Sequence, residues 1–134
     1  MSNHSTSRLV LLVDDERDQV EMYQLALEVS GFDVVPAYTG REGLERARER
    51  TPDAVVLDLR LPDITGWEVA AALKADPRTR AVPIIILTAA ASLTLPQEAA
   101  ATGCAAYLTK PCFPDVLART VRDVIEGKRT SPEV

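Results

Sequence analysis

The chain lacks the features that would tie it to a membrane, a nucleic acid or a disulfide scaffold. No apolar run among its 134 residues approaches the roughly 20 needed to cross a bilayer. Met1 to Arg8 is polar where a secretory signal would need an apolar stretch. No membrane role is expected, and the location reads as cytoplasmic. Cysteine is scarce. Cys104 and Cys112 are spaced Cys-x7-Cys, which fits no metal or redox motif, so both read as small buried or half-buried thiols. The single histidine, His4, lies in the polar tail and reads as solvated. Lysine and arginine number 15 against 20 acidic residues, for a net charge of −5, and form no clustered basic face. That argues against direct binding to nucleic acid or anionic lipid and leaves proteins or small ions as partners.

What the chain does have is a series of apolar runs that end on polar residues. Leu9 to Val13 ends on Asp14 and Asp15, Ala54 to Leu57 on Asp58, and Val82 to Leu87 on Thr88. A shorter run, Ala105 to Thr109, ends on Lys110, and Phe32 to Val35 supplies a fifth strand candidate. Segments of helical periodicity lie between them. Val20, Tyr23 and Leu27 recur at steps of three and four within Glu16 to Ser30, with Gly31 as a stop. Thr39-Gly-Arg-Glu42 has the capping-box pattern and opens a charged helix through Arg50. Thr65-Gly-Trp-Glu68 repeats it ahead of Val69, Ala72 and Leu73, and Asp76-Pro77 stops that run. A third box, Thr94-Leu-Pro-Gln97, precedes an alanine-rich helix ending at Gly103. Pro114 opens the fifth, with Leu117, Val121 and Val124 on one face and Gly127 beyond it.

Five strand-plus-helix units joined by short connections predict one parallel sheet with right-handed crossovers. The expected organisation is a disordered tail over 1–8, one domain over 9–127, and a tail or the start of a linker over 128–134. Nothing after residue 127 is expected to form an output domain.

The carboxyl ends of neighbouring parallel strands lie along one edge, where open α/β sheets bind ligands. Here that edge would hold three carboxylates, a hydroxyl and an ammonium. Two carboxylates about 4 Å apart repel by roughly 4 kcal/mol at an effective dielectric near 20, so the cluster must protonate or recruit a cation. Mg²⁺ suits an all-oxygen donor set and keeps waters that leave positions for a phosphoryl oxygen. A carboxylate beside such an ion and a lysine can carry a phosphoryl group as an aspartyl phosphate. Asp58 is the best nucleophile because it stands alone, whereas Asp14 and Asp15 adjoin and suit metal. Each residue also has a plainer reading: Asp15 as a helix cap, Thr88 as a β-branched strand end, Lys110 as a solvated loop charge and Trp67 as helix packing.

With these residues in place the chain resembles the receiver domains of two-component response regulators. The resemblance runs from Leu9 to about Glu126. It rests on Val-Asp14-Asp15-Glu16, Leu-Asp58-Leu-Arg-Leu-Pro62 with Gly66 downstream, Leu-Thr88-Ala89 and Tyr107-Leu-Thr-Lys110-Pro111. The intervals match too: 43 residues from Asp15 to Asp58, 30 to Thr88 and 22 to Lys110. It implies a doubly wound, flavodoxin-like sheet of order 2-1-3-4-5 with five helices. It also implies that Asp58 accepts a phosphoryl group from a histidine kinase or phosphotransfer protein, with Lys110 and Thr88 contacting phosphoryl oxygens. Asp15, Asp58 and the Arg60 backbone carbonyl would ligate Mg²⁺, with Asp14 acting through water, and Lys110 would precede a cis peptide to Pro111. Thr88 and Tyr107 would form a switch in which an inward Thr88 lets the Tyr107 ring turn from exposed to buried. A downstream effector protein would then read the face of the fourth helix, fifth strand and fifth helix. Ordinary strand packing is the plainer reading of Tyr107.

This chain departs from the family pattern in several places. Pro96 implies a late fourth helix and a longer loop over Ala89 to Leu95. Cys112-Phe113 stands where an aromatic often follows Lys-Pro directly. Ala105, Ala106 and Val116 replace acidic positions of members that pair through this face before binding DNA, so a monomer or weak dimer is expected. Arg60 and Ala90 flank the phosphoryl position, where they would bear on how long the group survives. By this reading the protein is not an enzyme beyond its own phosphoryl transfer and dephosphorylation. The alternatives are a receiver excised from a larger regulator such as a transcription factor, and a receiver-like scaffold that carries no phosphate. A magnesium-dependent aspartyl phosphohydrolase is a third, although residue 60 is Arg where a second Asp would complete an Asp-x-Asp.

Overall fold

The computed structural model describes residues 7–89 and 103–127. Strands β1 (Leu9–Val13), β2 (Asp33–Ala37), β3 (Ala54–Leu57), β4 (Ile84–Thr88) and β5 (Ala106–Thr109) form one sheet in the order β2-β1-β3-β4-β5, with every neighbouring pair parallel. The helices are α1 (Arg17–Val29), α2 (Gly40–Glu49), α3 (Gly66–Ala75) and, at the C-terminal end, α4 (Pro114–Ile125). Residues 90–102, which hold Ala90, Pro96 and all but the last residue of the helix predicted from Thr94 to Gly103, lie outside the described residues, as do residues 1–6 and 128–134 of the predicted tails.

Strand periodicity divides the core. Leu11, Val13, Val55, Leu57, Ile84, Ile86 and Tyr107 lie on one face, against Ala47, Val69 and Leu73 of α2 and α3. The alternate positions Val10, Leu12, Val56, Ile85, Leu87 and Ala106 meet Val20, Tyr23 and Leu27 of α1 and Leu117, Val121 and Val124 of α4. Because β3 and β4 are covered on both faces, their sequences read as unbroken apolar runs. Burying a Leu- or Ile-sized side chain is worth roughly 1.5–3 kcal/mol, so these two layers dominate the stability of the sheet.

Strand and helix ends refine the expectation. β2 extends through Pro36 to Ala37, which is tolerated because β2 is an edge strand that makes ladder bonds on one side only. β4 begins at Ile84 rather than Val82, whose N–H is held by the Thr79 carbonyl in the preceding turn, and it includes Thr88. The box on α3 is complete, with Thr65 and Glu68 each accepting the other's backbone N–H. On α2, Thr39 Oγ1 accepts from Glu42 N, but the Glu42 carboxylate reaches past the cap to accept from Tyr38 N. Asp15 does not cap α1: the cap position is Glu16, and its N–H is taken by Asp14 Oδ1 at 2.9 Å.

Candidate functional site

Strand register brings the predicted residues together. The ladder runs one residue past three strand ends: Asp14 N–H donates to Ala37 O, Asp58 N–H to Val13 O, and Lys110 N–H to Thr88 O, each at 3.0 Å. Asp14 and Asp58 therefore stand side by side beyond β1 and β3. This is the point where the chain order of the sheet reverses. Thr88 and Lys110 stand next to them beyond β4 and β5.

The side chains converge on Asp58. Its Oδ1 accepts from Thr88 Oγ1 at 2.9 Å and from Arg60 N at 3.0 Å. Its Oδ2 accepts from Lys110 Nζ at 3.0 Å, and the same ammonium donates to Asp14 Oδ2 at 2.7 Å. Asp14, Asp58 and Thr88 are all buried. Burial pushes the Asp14 carboxyl above its usual range, against the hydrogen bonds from Lys110 and Glu16 N that favour its charged form. Burial pulls Lys110 the other way, but its hydrogen bonds to Asp14 and Asp58 outweigh it, so the ammonium stays charged and its pKa is raised. Lys110 precedes a cis peptide to Pro111.

Asp15, unlike its neighbour, is exposed and opens into a cleft of about 540 Å³ lined also by Asp58, Arg60, Ala89 and Lys110. Arg60 is exposed at the cleft wall. Among the described residues no three His, Cys, Asp or Glu side chains converge as a ready metal cage, and the Lys110 ammonium supplies the countercharge between Asp14 and Asp58. The donor chemistry nevertheless fits Mg²⁺, which needs only one or two carboxylates and otherwise keeps its waters. Three carboxylates against one ammonium leave the edge short of positive charge.

Thr88 already points inward onto Asp58. Tyr107 is only 8% exposed, in register with Ile86 and on the same face of the sheet as Thr88. Both are thus in the inward, buried arrangement. Cys104 and Cys112 are both half-buried, as expected of small thiols in apolar company, and burial raises the Cys112 thiol. Two residues near the site were not singled out in the sequence. Asp63 accepts the Gly40, Arg41 and Ile64 N–H groups, tying the loop after Asp58 to the start of α2. These bonds outweigh the effect of burial and lower its carboxyl pKa. Tyr23, read as helix packing, uses its hydroxyl on the Cys112 carbonyl at 2.9 Å. An Asp within a Pro-Asp turn was a signal for the first, whereas no pattern distinguishes Tyr23 from any other core position.

A 2-1-3-4-5 parallel sheet with an acidic, lysine-bridged cleft at its carboxyl edge defines a receiver-like α/β domain. Residues 10–122 match the family described as the response regulator receiver domain, and the chain belongs to that family. It is 30% identical over 119 residues to the polar-differentiation response regulator DivK of Brucella ovis, covering 89% of this chain and 97% of that protein. Among solved structures, the chemotaxis protein CheY4 of Vibrio cholerae superposes with a TM-score of 0.82 at 32% identity, over 88% of this chain and 98% of that one. A CheY-like receiver domain protein from Methanospirillum hungatei gives 0.82 at 28% identity, over 90% and 94%. The chain is therefore a receiver domain of two-component signalling, a class that generally signals rather than acts as an enzyme and whose members interact with a histidine kinase or phosphotransfer protein and with downstream effectors. Receiver domains bind Mg²⁺ at their acidic phosphorylation site. Among the described residues, no helix is long and apolar enough to cross a membrane.

Proposed function

We propose that Asp58 accepts a phosphoryl group from the phosphohistidine of a partner kinase or phosphotransfer protein, in the cytoplasm, and that residues 9–127 form the signalling unit. An Asp58 carboxylate oxygen attacks phosphorus. The P–N bond breaks with its electron pair staying on the imidazole nitrogen, which takes a proton from water. Asp14, through water, and Asp15, Asp58 and the Arg60 backbone carbonyl would hold Mg²⁺, which when bound neutralises charge on the phosphoryl oxygens. Lys110 and Thr88 each contact one of those oxygens, and both already donate to Asp58, so they reach the new group by small movements. The reading rests above all on Asp58 itself: a buried carboxylate, held on both oxygens, at the floor of a cleft open to a donor.

The signal passes through Thr88 and Tyr107. Thr88 already faces Asp58 with Tyr107 buried on the same face of the sheet, and a phosphoryl group on Asp58 holds that arrangement by offering the Thr88 hydroxyl a more highly charged oxygen acceptor. An effector protein then reads the face that includes β5 and α4. The chain works as a monomer or weak dimer without touching nucleic acid. Incubation with Mg²⁺ and acetyl phosphate, followed by intact-mass measurement, tests the core of this. One added phosphoryl group on wild type and none on Asp58→Asn is expected. No addition to wild type, or equal addition to both, overturns it.

A further inference from the structure

We infer that Tyr23 is a positioning residue for Lys110, tying the lysine's loop to the helix that begins at the carboxylate pair. This rests on the phosphoryl-transfer reading above. Lys110 lies between two anchors. On one side its own N–H bonds the Thr88 carbonyl at 3.0 Å, and Thr88 in turn donates its hydroxyl to Asp58. On the other side, two residues on, the Cys112 carbonyl accepts the Tyr23 hydroxyl at 2.9 Å. The first anchor references the lysine to β4 and Asp58, and the second references it to α1.

The second matters because α1 is a rigid body whose first turn follows directly on Asp14 and Asp15. Asp14 is bonded to that turn through Glu16 N. A hydroxyl on α1 that grips the loop after Lys110 thus constrains the lysine and Asp14 from one element, across 89 residues of sequence. The Lys110 Nζ lies 2.7 Å from Asp14 Oδ2, the contact that this constraint would hold in place. Packing alone does not call for the hydroxyl. Tyr23 lies in the apolar layer with Val20, Leu27, Leu117 and Val121, where a phenylalanine fills the same space. Burial also keeps the phenol protonated beyond its usual range, so it remains a donor throughout the neutral and mildly alkaline range.

The test is Tyr23→Phe, which removes one oxygen and keeps the ring. Phosphoryl uptake from acetyl phosphate at saturating Mg²⁺, normalised to folded protein, should slow by about three- to tenfold, the scale of one lost hydrogen bond. In a Lys110→Ala background the same substitution should change the rate by less than about twofold, because the residue through which it acts is gone. Water exchange at the Lys110 ammonium, followed by ¹⁵N NMR in metal-free protein, should quicken in Tyr23→Phe while amides of β1 and β3 keep their protection. Equal uptake by wild type and Tyr23→Phe, an equal slowing in both backgrounds, or unchanged ammonium exchange overturns the inference. Wild type that takes up no phosphoryl group overturns the functional reading instead, and the exchange measurement then still decides whether Tyr23 positions Lys110.

Discussion

Removing the ammonium that bridges two buried carboxylates is the sharpest perturbation the site offers. Lys110→Met keeps much of the stem and deletes the charge. The ammonium lies 2.7 Å from Asp14 and 3.0 Å from Asp58, with its side chain 8% exposed and theirs 4% and 8%. At an effective dielectric near 20 each pair is a gross attraction of about 6 kcal/mol. Much of that is spent on desolvating the ammonium, and the mutant is spared this cost. What remains is the penalty of two carboxylates buried without a countercharge, and breaking such a pair typically costs about 3–5 kcal/mol. Against a domain stability of about 5–15 kcal/mol, Lys110→Met should stay folded but lose about 4 kcal/mol. Urea unfolding at neutral pH in chelator-treated buffer measures this, with Trp67 fluorescence and far-UV circular dichroism as paired probes. Adding Asp14→Asn should recover at least about 1 kcal/mol, since it removes one orphaned charge while leaving an acceptor for Glu16 N. A loss below about 1 kcal/mol, or a double variant less stable than the single one, would refute the reasoning. Millimolar Mg²⁺ should stabilise Lys110→Met more than wild type, because a cation then replaces the missing charge.

Gly66→Ala places a methyl carbon 2.5 Å from the Asp58 carbonyl oxygen and 2.6 Å from Leu59 Cα. Those are backbone atoms that cannot rotate away, so a loss of at least about 1–3 kcal/mol in urea unfolding and slower phosphoryl uptake are expected together. An unchanged midpoint would mean that the loop is free to shift. Thr88→Ala should cost about 1–2 kcal/mol by removing a donor from buried Asp58, and Thr88→Ser should restore most of it. Failure of serine to rescue would point to the methyl group rather than the hydroxyl. Asp76 is held down to about 2 by the Arg78 side chain first, then by Arg78 N. Its folded pKa lies below the usual 3.8, so its contribution is present above pH 4 and disappears as pH falls towards 2. The stability gap between wild type and Asp76→Asn should be constant near neutrality and close across that window. A gap that persists at pH 2 would show that the contribution is not electrostatic.

Most of the architecture was legible because this fold writes itself in apolar runs. β3 and β4 are covered by helices on both faces, so no polar residue interrupts them. The first polar residue after each run therefore marks the carboxyl end of the strand. The misplaced boundaries fell where that logic weakens. β2 is at the edge and half-buried, so Pro36 could sit inside it without breaking a buried ladder. Val82 is apolar and buried, yet it belongs to the turn before β4 through its bond to Thr79. The hydrophobic pattern reports burial, and burial outlasts the strand at that end.

The site was legible for the same reason and only to the same depth. Strand ends place Asp14, Asp58, Thr88 and Lys110 on one edge whatever the side chains do. Which of the adjacent acids faces the lysine depends on how the chain turns after Val13. The Asp14 carboxylate folds onto Glu16 N and the ammonium, which sends Asp15 into the cleft. No periodicity encodes that choice, since both residues lie beyond the strand and before the helix. Tyr23 marks the deeper limit, because an apolar stripe at helical spacing looks the same whether its ring ends in hydrogen or hydroxyl. The carbonyl that the hydroxyl meets is 89 residues away. Residues that carry charge at strand ends can thus be found by counting along the chain. Those that hold such charges in place from inside the core become visible only when the chain is folded.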